Sequence, residues 1–213
     1  MFRTETLQDT DYNEIVSCLR SGGVIGFPTD TAYGLGADPY NEAAIHRIFA
    51  IKGRAETKPL LVIVDSLAMA ESVSAQLPQT FYDVVKKFWP GALTLIVRSE
   101  KSVPRQLTAG TKTIGIRWPI APYATMLVQR FGKPITATSA NQTGMPAPIT
   151  AGEVRAQLGA SLDMLIDGGT LPARSGSTVL DLTVEPALVL REGPITFQSL
   201  YEFFEGNIRS NVA

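Results

Sequence analysis

The hydrophobic residues of this chain alternate between two spacings along most of its length, and this alternation limits the folds that it can adopt. Apolar residues recur three and four positions apart in stretches such as 10–20 and 122–131, the spacing of one face of a helix. Short continuous apolar runs, such as 24–27 and 60–64, lie between those stretches and have the length of buried strands. Alternating helices and strands are typical of α/β proteins, in which helices pack on a parallel or mixed sheet.

Cap and turn residues set the bounds of these elements. The pattern predicts helices over residues 10–20, 42–52, 78–88, 122–131 and 150–158, a further helix that begins at Ser66, and strands over residues 24–27, 60–64, 93–97, 113–117, 135–138, 164–166, 177–182 and 188–190. There is no internal repeat, low-complexity linker or break in composition, so we expect a single domain with helices packed on a mixed sheet. Residues 196–213 carry aromatic residues at near-helical spacing, which predicts a helical tail docked on the core or, alternatively, a helix at an interface.

Composition excludes several classes of protein. The 213 residues carry 19 Lys and Arg against 20 Asp and Glu, 45% of them are hydrophobic, and there is one Cys and one His. A disordered chain, a disulfide-stapled fold and a zinc site are therefore excluded, and nucleic-acid binding would need a local basic patch.

The densest apolar run, 60–64, is far shorter than the roughly 20 residues of a membrane span. Residues 1–10 lack the apolar core of a signal peptide, so we expect a cytoplasmic protein without membrane contact.

Common catalytic motifs are missing from the sequence. It contains neither a Walker-type phosphate loop nor a nucleophile elbow, and Gly34-Leu35-Gly36 lacks the third glycine of the dinucleotide-binding motif. His46 lies inside a predicted helix, which gives little support to a Ser-His-Asp triad.

Polar loops that follow buried strands are the remaining candidates for a site. Residues 28–36 place Thr29, Asp30 and Thr31 directly after a strand, where they could bind a polar ligand or simply cap a helix. Residues 52–58 contain Lys52, Arg54 and Lys58, which could clamp a polyphosphate or form a solvated basic turn at a helix C-terminus.

Three further segments have the same character. Arg117 ends an apolar strand, so it needs a partner there, and a ligand carboxylate is one plausible partner. Hydroxyl and amide groups at 138–141 could orient a ligand, and Ser177-Thr178 and Arg191-Glu192-Gly193 flank late strands. Each segment alone is compatible with an ordinary turn, but together they indicate binding-driven chemistry on an anionic substrate.

The motifs resemble those of the YrdC-like family of threonylcarbamoyl-AMP synthases, in order and in spacing, over residues 10–195. The matching segments are Pro28–Gly36, Lys52-Gly53-Arg54, Ser139-Ala140-Asn141, Ser177–Asp181 and Leu190–Gly193. The resemblance implies a twisted, open mixed sheet, a catalytic domain over residues 1–195 and a tail over 196–213.

The resemblance also implies a reaction, in which L-threonine, bicarbonate and ATP yield L-threonylcarbamoyladenylate and pyrophosphate for the threonylcarbamoyladenosine modification at position 37 of tRNA. By this resemblance Lys52 and Arg54 would be catalytic, and Thr31, Arg117 and Ser177 would hold threonine. The residues on the ATP side would be Lys52, Arg54, Lys58, Thr113, Ser139, Asn141 and Arg191. Mg²⁺ would accompany the ATP on its phosphates, without a dedicated set of protein ligands. Downstream threonylcarbamoyl-transferase proteins, and a contact with tRNA or double-stranded RNA, are the implied partners.

Three residues depart from the family pattern. Lys58 stands where some members have His or Asn, Ile63 where others have His near threonine, and Ala147 where some have a nucleotide-contacting Ser. The main alternative is a module of the same fold that binds tRNA or double-stranded RNA without adenylating activity. An enzyme using another carbamoyl donor and a paralogue that has lost the reaction are further alternatives.

Overall fold

The computed structural model of the protein describes residues 2–3, 7–172 and 176–212. The helices within those ranges are α1 (Asp9–Arg20), α2 (Glu42–Lys52), α3 (Leu67–Ser72), α4 (Gln79–Phe88), α5 (Arg105–Thr108), α6 (Pro122–Phe131), α7 (Ala151–Leu158) and α8 (Phe197–Phe203). The strands are β1 (Phe2–Arg3), β2 (Ile25–Phe27), β3 (Gly34–Gly36), β4 (Leu61–Ile63), β5 (Leu93–Arg98), β6 (Thr113–Arg117), β7 (Ile135–Thr136), β8 (Thr138–Ser139), β9 (Met164–Asp167), β10 (Thr178–Asp181), β11 (Ala187–Arg191) and β12 (Ile208–Ser210).

These strands form two mixed sheets. One has seven strands in the order β12-β11-β10-β5-β6-β4-β7, and the other has five in the order β1-β9-β2-β3-β8. The predicted mixed α/β fold is confirmed, with the difference that its strands divide between two sheets.

The division occurs within the predicted strand 135–138. Its first part, β7, pairs with β4 of the larger sheet, and its continuation, β8, pairs with β3 of the smaller one. Thr136 ties the sheets together, because its hydroxyl donates to the Leu35 carbonyl at 3.1 Å and accepts from the Ala37 N–H at 2.9 Å. The apolar pattern of residues 135–138 predicts a strand, but it does not show that the strand changes its pairing from one sheet to the other.

The hydrophobic core has two parts. The apolar stripe of α1 (Ile15, Val16 and Leu19) packs with α6, with Phe27 of β2 and with Ile135 of β7. The other part covers one face of the seven-stranded sheet, where α4 and α8 also contribute, and it includes Leu95, Ile116, Leu180 and Val189.

Strand β3 was not predicted, because the sequence pattern around Gly34-Leu35-Gly36 indicates a loop. Glycine has a low strand propensity, so the local pattern gives no strand signal. Pairing with β2 on one side and β8 on the other forms the strand nevertheless. The two glycines suit this position because the Phe27 ring lies against both of them.

Cap residues fix the ends of helices α2 and α7. Asn41 caps α2 by accepting from the Ala44 N–H, and Gly53 ends that helix in the left-handed conformation. Thr150 caps α7 by accepting from the Glu153 N–H, and the Glu153 carboxylate accepts from the Ile149 N–H.

The C-terminal segment differs from the predicted helical tail. Helix α8 lies within it as expected, but Ile208–Ser210 forms strand β12, which pairs in parallel with β11 at the edge of the larger sheet. The sequence gives no sign of this strand, since Ile208 is the only apolar residue in it.

Within the described ranges, no helix combines the length and the hydrophobicity that crossing a bilayer requires. The prediction that residues 1–10 carry no signal peptide falls partly on Met1 and residues 4–6, which lie outside the described residues.

Close packing at β3 leads to a test of stability. A Cβ atom on Gly36 would lie 2.9 Å from Cε1 of Phe27 and 3.0 Å from Cγ2 of Ile135. We therefore expect Gly36→Ala to lower the free energy of unfolding by ~1–3 kcal/mol, as overpacking does. Gly152→Ala in α7 is the matched control, since only the Thr150 hydroxyl lies within 4 Å there, at 3.8 Å. Urea denaturation measures both, and equal stability of the two variants would contradict the packing account.

Candidate active site

One face of the seven-stranded sheet lines a cavity of ≈ 380 Å³. Side chains on one face of a strand recur every second residue. The lining residues follow this period on each strand or directly before it, as Leu61 and Ile63, Thr94 and Ile96, Thr113, Gly115 and Arg117, and Ser177 and Val179. Strand register brings them side by side, because Gly115 lies opposite both Leu61 and Ile96.

The opposite wall comes from the smaller sheet. It consists of residues 29 and 31–34, which connect β2 to β3 and begin β3, together with Thr138 and Ser139 of β8. Backbone hydrogen bonds fix this wall, since the Tyr33 N–H donates to the Pro148 carbonyl and the Ala140 N–H donates to the Tyr33 carbonyl. The polar loop predicted after β2 therefore reaches the cavity.

Arg117 is 5% exposed and holds three partners. Its Nε donates to the Gly91 carbonyl at 3.0 Å, its Nη1 to the Thr31 hydroxyl at 2.9 Å, and its Nη2 to the Asp30 carboxylate at 2.5 Å. The partner that a buried arginine requires is thus a protein carboxylate. A guanidinium has five N–H groups, so two remain to bind a ligand.

Arg191 and Ser177 lie on the same side of the cavity. Arg191 donates from Nε to the Ser177 carbonyl at 2.9 Å and from Nη2 to the Ser177 hydroxyl at 3.3 Å. Ser177 is 2% exposed. Part of the Arg191 side chain stays exposed, so this cation can receive a ligand from solvent.

The two arginines repel each other across the cavity. Burial lowers the pKa of Arg117, and the neighbouring Asp30 partly offsets this effect. Desolvation also lowers the pKa of Arg191, and the charge of Arg117 lowers it further. An anion between the two guanidinium groups would relieve this repulsion.

Arg54 provides a third guanidinium. Its Nη1 donates to the Thr138 hydroxyl at 3.4 Å and its Nη2 to the Pro59 carbonyl at 2.9 Å. Its Nε is buried without a hydrogen-bond partner, and burial lowers the pKa of the group. A buried donor without a partner is costly, and an anionic ligand would satisfy it.

Lys52 does not line the cavity, although the motif Lys52-Gly53-Arg54 favoured a joint phosphate clamp. It is 4% exposed, and its ammonium donates to the Ser139 carbonyl, to the Asn141 carbonyl at 2.9 Å and to the Asn141 amide oxygen at 3.3 Å. All three N–H groups are occupied, so Lys52 fixes the segment 139–141 from behind. Burial, and secondarily the charge of Arg54, lowers the pKa of Lys52 to about 8.

The structure therefore brings most of the predicted residues together. The residues that line the cavity are Thr31, Arg54, Thr113, Arg117, Ser139, Ser177 and Arg191. Asn141 lies behind it with Lys52, and its amide donates to the Met145 carbonyl. Lys58 is exposed and is not among the lining residues, whereas Ile63 and Ala147 both line the cavity.

Sequence reasoning missed Thr94 and Gly115. Thr94 is a polar residue within the apolar strand 93–97, and that interruption is the signal that could have identified it. Gly115 interrupts strand 113–117 in a similar way, and a Cβ there would lie 3.2 Å from Cβ of Leu61 and 3.4 Å from Cγ2 of Thr94. The missing side chain keeps the floor of the cavity open.

Comparisons with known proteins bear on this site. Residues 17–193 match a family model that is named for Sua5, YciO and YrdC and described as telomere recombination. The chain is 36% identical over 195 residues to the threonylcarbamoyl-AMP synthase of Pyrococcus abyssi and 37% identical over 194 residues to that of Bacillus subtilis. These alignments cover 92% and 90% of this chain but 57% and 56% of the relatives, so the chain spans little more than half of their length.

The fold is also similar to a solved structure. The crystal structure of P. abyssi Sua5 complexed with L-threonine matches with a TM-score of 0.93 and 34% sequence identity. The match covers 99% of this chain and 61% of that one.

The lowered pKa of Lys52 predicts a dependence of stability on pH. Between pH ~8 and ~10.5 the unfolded chain holds a proton at Lys52 that the folded chain has released, so folding becomes more favourable as the pH rises. We expect the free energy of unfolding of the wild type, minus that of Lys52→Met, to increase by up to ~3 kcal/mol across this window. Below pH 8 the lysine is protonated in both states, and the difference should stay constant.

Denaturant titrations at a series of pH values measure this difference, and Lys87→Met, at an exposed position of α4, controls for the removal of a lysine. A difference that does not change with pH for Lys52→Met would show that the ammonium is not desolvated.

Proposed function

The chain belongs to the Sua5/YciO/YrdC family, which confirms the resemblance that the sequence motifs indicated, and from this premise we propose that it is a threonylcarbamoyl-AMP synthase. The proposed reaction forms L-threonylcarbamoyladenylate and pyrophosphate from L-threonine, bicarbonate and ATP. The observation that carries the proposal is the meeting of Arg54, Arg117 and Arg191 at one cavity whose described lining contains no carboxylate.

The chemistry suits a site without a protein nucleophile. The threonine amine and bicarbonate give a carbamate with loss of water, and a carbamate oxygen then attacks the α-phosphorus of ATP. The bond between that phosphorus and the bridging oxygen breaks, and pyrophosphate leaves with the negative charge. The task of the protein is to hold two anions together and to stabilise the charge on the leaving group.

The contacts of the arginines suggest how the ligands divide between them. The two free N–H groups of Arg117, with the hydroxyls of Thr31 and Ser177 beside it, suit the carboxylate of threonine. The buried Nε of Arg54 and the more accessible Arg191 suit phosphate oxygens. Lys52 and Asn141 would act from behind the cavity, by holding Ser139 in place.

Mg²⁺ would be bound together with ATP. The described residues contain no group of three or more His, Cys, Asp or Glu side chains that could hold a metal ion. Asp30, the carboxylate next to the cavity, is paired with Arg117. We therefore propose that the ion is coordinated by the phosphates and that it neutralises charge on the triphosphate.

A second enzyme must use the product quickly, since a mixed anhydride of a carbamic acid and AMP hydrolyses readily. We propose that threonylcarbamoyl-transferase proteins of the cytoplasm accept it for transfer to tRNA, with a contact to tRNA or double-stranded RNA as a further expectation. Three arginines line the described cavity. Tight binding to an RNA backbone generally needs more cationic contacts to its phosphates than these three arginines provide.

Release of pyrophosphate tests the proposed function. The protein is incubated with ATP, Mg²⁺, bicarbonate and one amino acid at a time, and pyrophosphate is measured. We expect release that depends on both threonine and bicarbonate. Release without any amino acid would contradict the proposal, and salt-sensitive RNA binding without turnover of ATP would favour the RNA-binding module.

Substitution of Arg117 tests the assignment of the threonine carboxylate. Arg117→Lys keeps the charge beside Asp30 but loses the planar pair of N–H groups, so we expect the KM for threonine to rise about tenfold or more. The KM for ATP should change by less than about threefold. Arg209→Lys on β12, where the arginine is exposed, is the matched control. A threonine KM equal to that of the wild type would contradict the assignment.

A further inference from the structure

Thr94 carries a buried hydroxyl near the start of β5, where the residues from Leu93 to Val97 are otherwise apolar. It is 2% exposed, and its Oγ1 lies 2.6 Å from Oγ of Ser177, a short hydrogen bond between two side chains of the cavity. The parallel register of β5 and β10 places Thr94 beside Val179, on the same face as Ser177 two residues earlier. Valine or isoleucine would suit such a strand better, and a buried hydroxyl is tolerated there only with a partner.

The direction of this hydrogen bond follows from Arg191. An arginine can only donate, so the Ser177 hydroxyl accepts from Nη2 of Arg191 at 3.3 Å. The Ser177 oxygen has one further lone pair and one hydrogen. If Thr94 donates to that lone pair, the hydrogen of Ser177 is free to point into the cavity. If Ser177 donates to Thr94 instead, Ser177 has no hydrogen left for a ligand.

A bound anion would select the first arrangement. A carboxylate or phosphate oxygen only accepts, so Ser177 can bind it only as a donor. The Thr94 hydroxyl is available to donate, because Ser177 is its one hydrogen-bond partner among the described residues. Two donors, Arg191 and Thr94, would then converge on the Ser177 oxygen and strengthen the bond that its hydrogen makes.

We propose that Thr94 is a positioning residue, which acts through Ser177 by holding its hydroxyl as a hydrogen-bond donor toward the carboxylate of the substrate. This inference rests on the proposed function, in which that carboxylate belongs to threonine. It assigns a role to a residue that lies outside the sequence motifs of the site.

One pair of variants tests the role of Thr94. Thr94→Val keeps the shape and removes the hydroxyl, whereas Thr94→Ser keeps the hydroxyl and removes the methyl group. We expect Thr94→Val to raise the KM for threonine about five- to tenfold, with the KM for ATP and kcat changed by less than about twofold. Thr94→Ser should stay within about twofold of the wild type. If valine disturbs the fold, as thermal unfolding would reveal, Thr94→Ala replaces it and is compared with Thr94→Ser.

The outcomes separate this inference from the proposed function. Turnover that depends on threonine in the wild type, with an unchanged threonine KM in Thr94→Val, would overturn the inference and leave the function in place. A loss that Thr94→Ser does not rescue, or one shared equally by threonine and ATP, would show that Thr94 has only a packing role. If the wild type neither binds nor uses threonine in calorimetry and pyrophosphate assays, both proposals fall. Thr125→Val on α6, outside the cavity, controls for loss of a threonine hydroxyl.

Discussion

Repulsion among buried guanidinium groups is the constraint on which the site depends. Arg54, Arg117 and Arg191 reach one cavity, and Asp30 neutralises only Arg117. Each group loses hydration on folding, and burial lowers the pKa of all three. Carbonyl and hydroxyl oxygens nearby accept hydrogen bonds from some N–H groups of the three arginines. These neutral oxygens do not cancel the positive charge. An anionic ligand would supply the missing compensation, which is why these three cations favour binding of anions.

The fold holds these charges apart from the hydrophobic core by using the two faces of one sheet differently. Leu95 and Ile116 point into the core, while their neighbours Thr94 and Arg117 line the cavity. The smaller sheet then supplies the facing wall, because residues 135–139 pass from one sheet to the other. Lys52 holds that wall in place with its three hydrogen bonds. This lysine was predicted to clamp phosphate, but in the structure it positions the residues that line the cavity.

Sequence reasoning succeeds where local pattern and tertiary structure agree. Residues 113–117 and 122–131 form the predicted strand and helix with the predicted bounds, because their apolar spacing and end residues point the same way. It fails where partners distant in the chain decide. Gly34–Gly36 becomes a strand only through its neighbours in the sheet. The pairing of Arg117 with Asp30, the burial of Lys52 and the contact of Thr94 with Ser177 join residues 83 to 89 positions apart, and no local pattern encodes such contacts.

The central claim is that one cavity holds two anions at the same time on separate arginines. Calorimetric titration of L-threonine into the protein, with and without a saturating non-hydrolysable ATP analogue and Mg²⁺, tests this claim most directly. The account predicts binding of one threonine per chain in both titrations, with affinity that the analogue maintains or increases. Loss of threonine binding in the presence of the analogue would mean that the two anions compete for the same groups, and it would contradict the account.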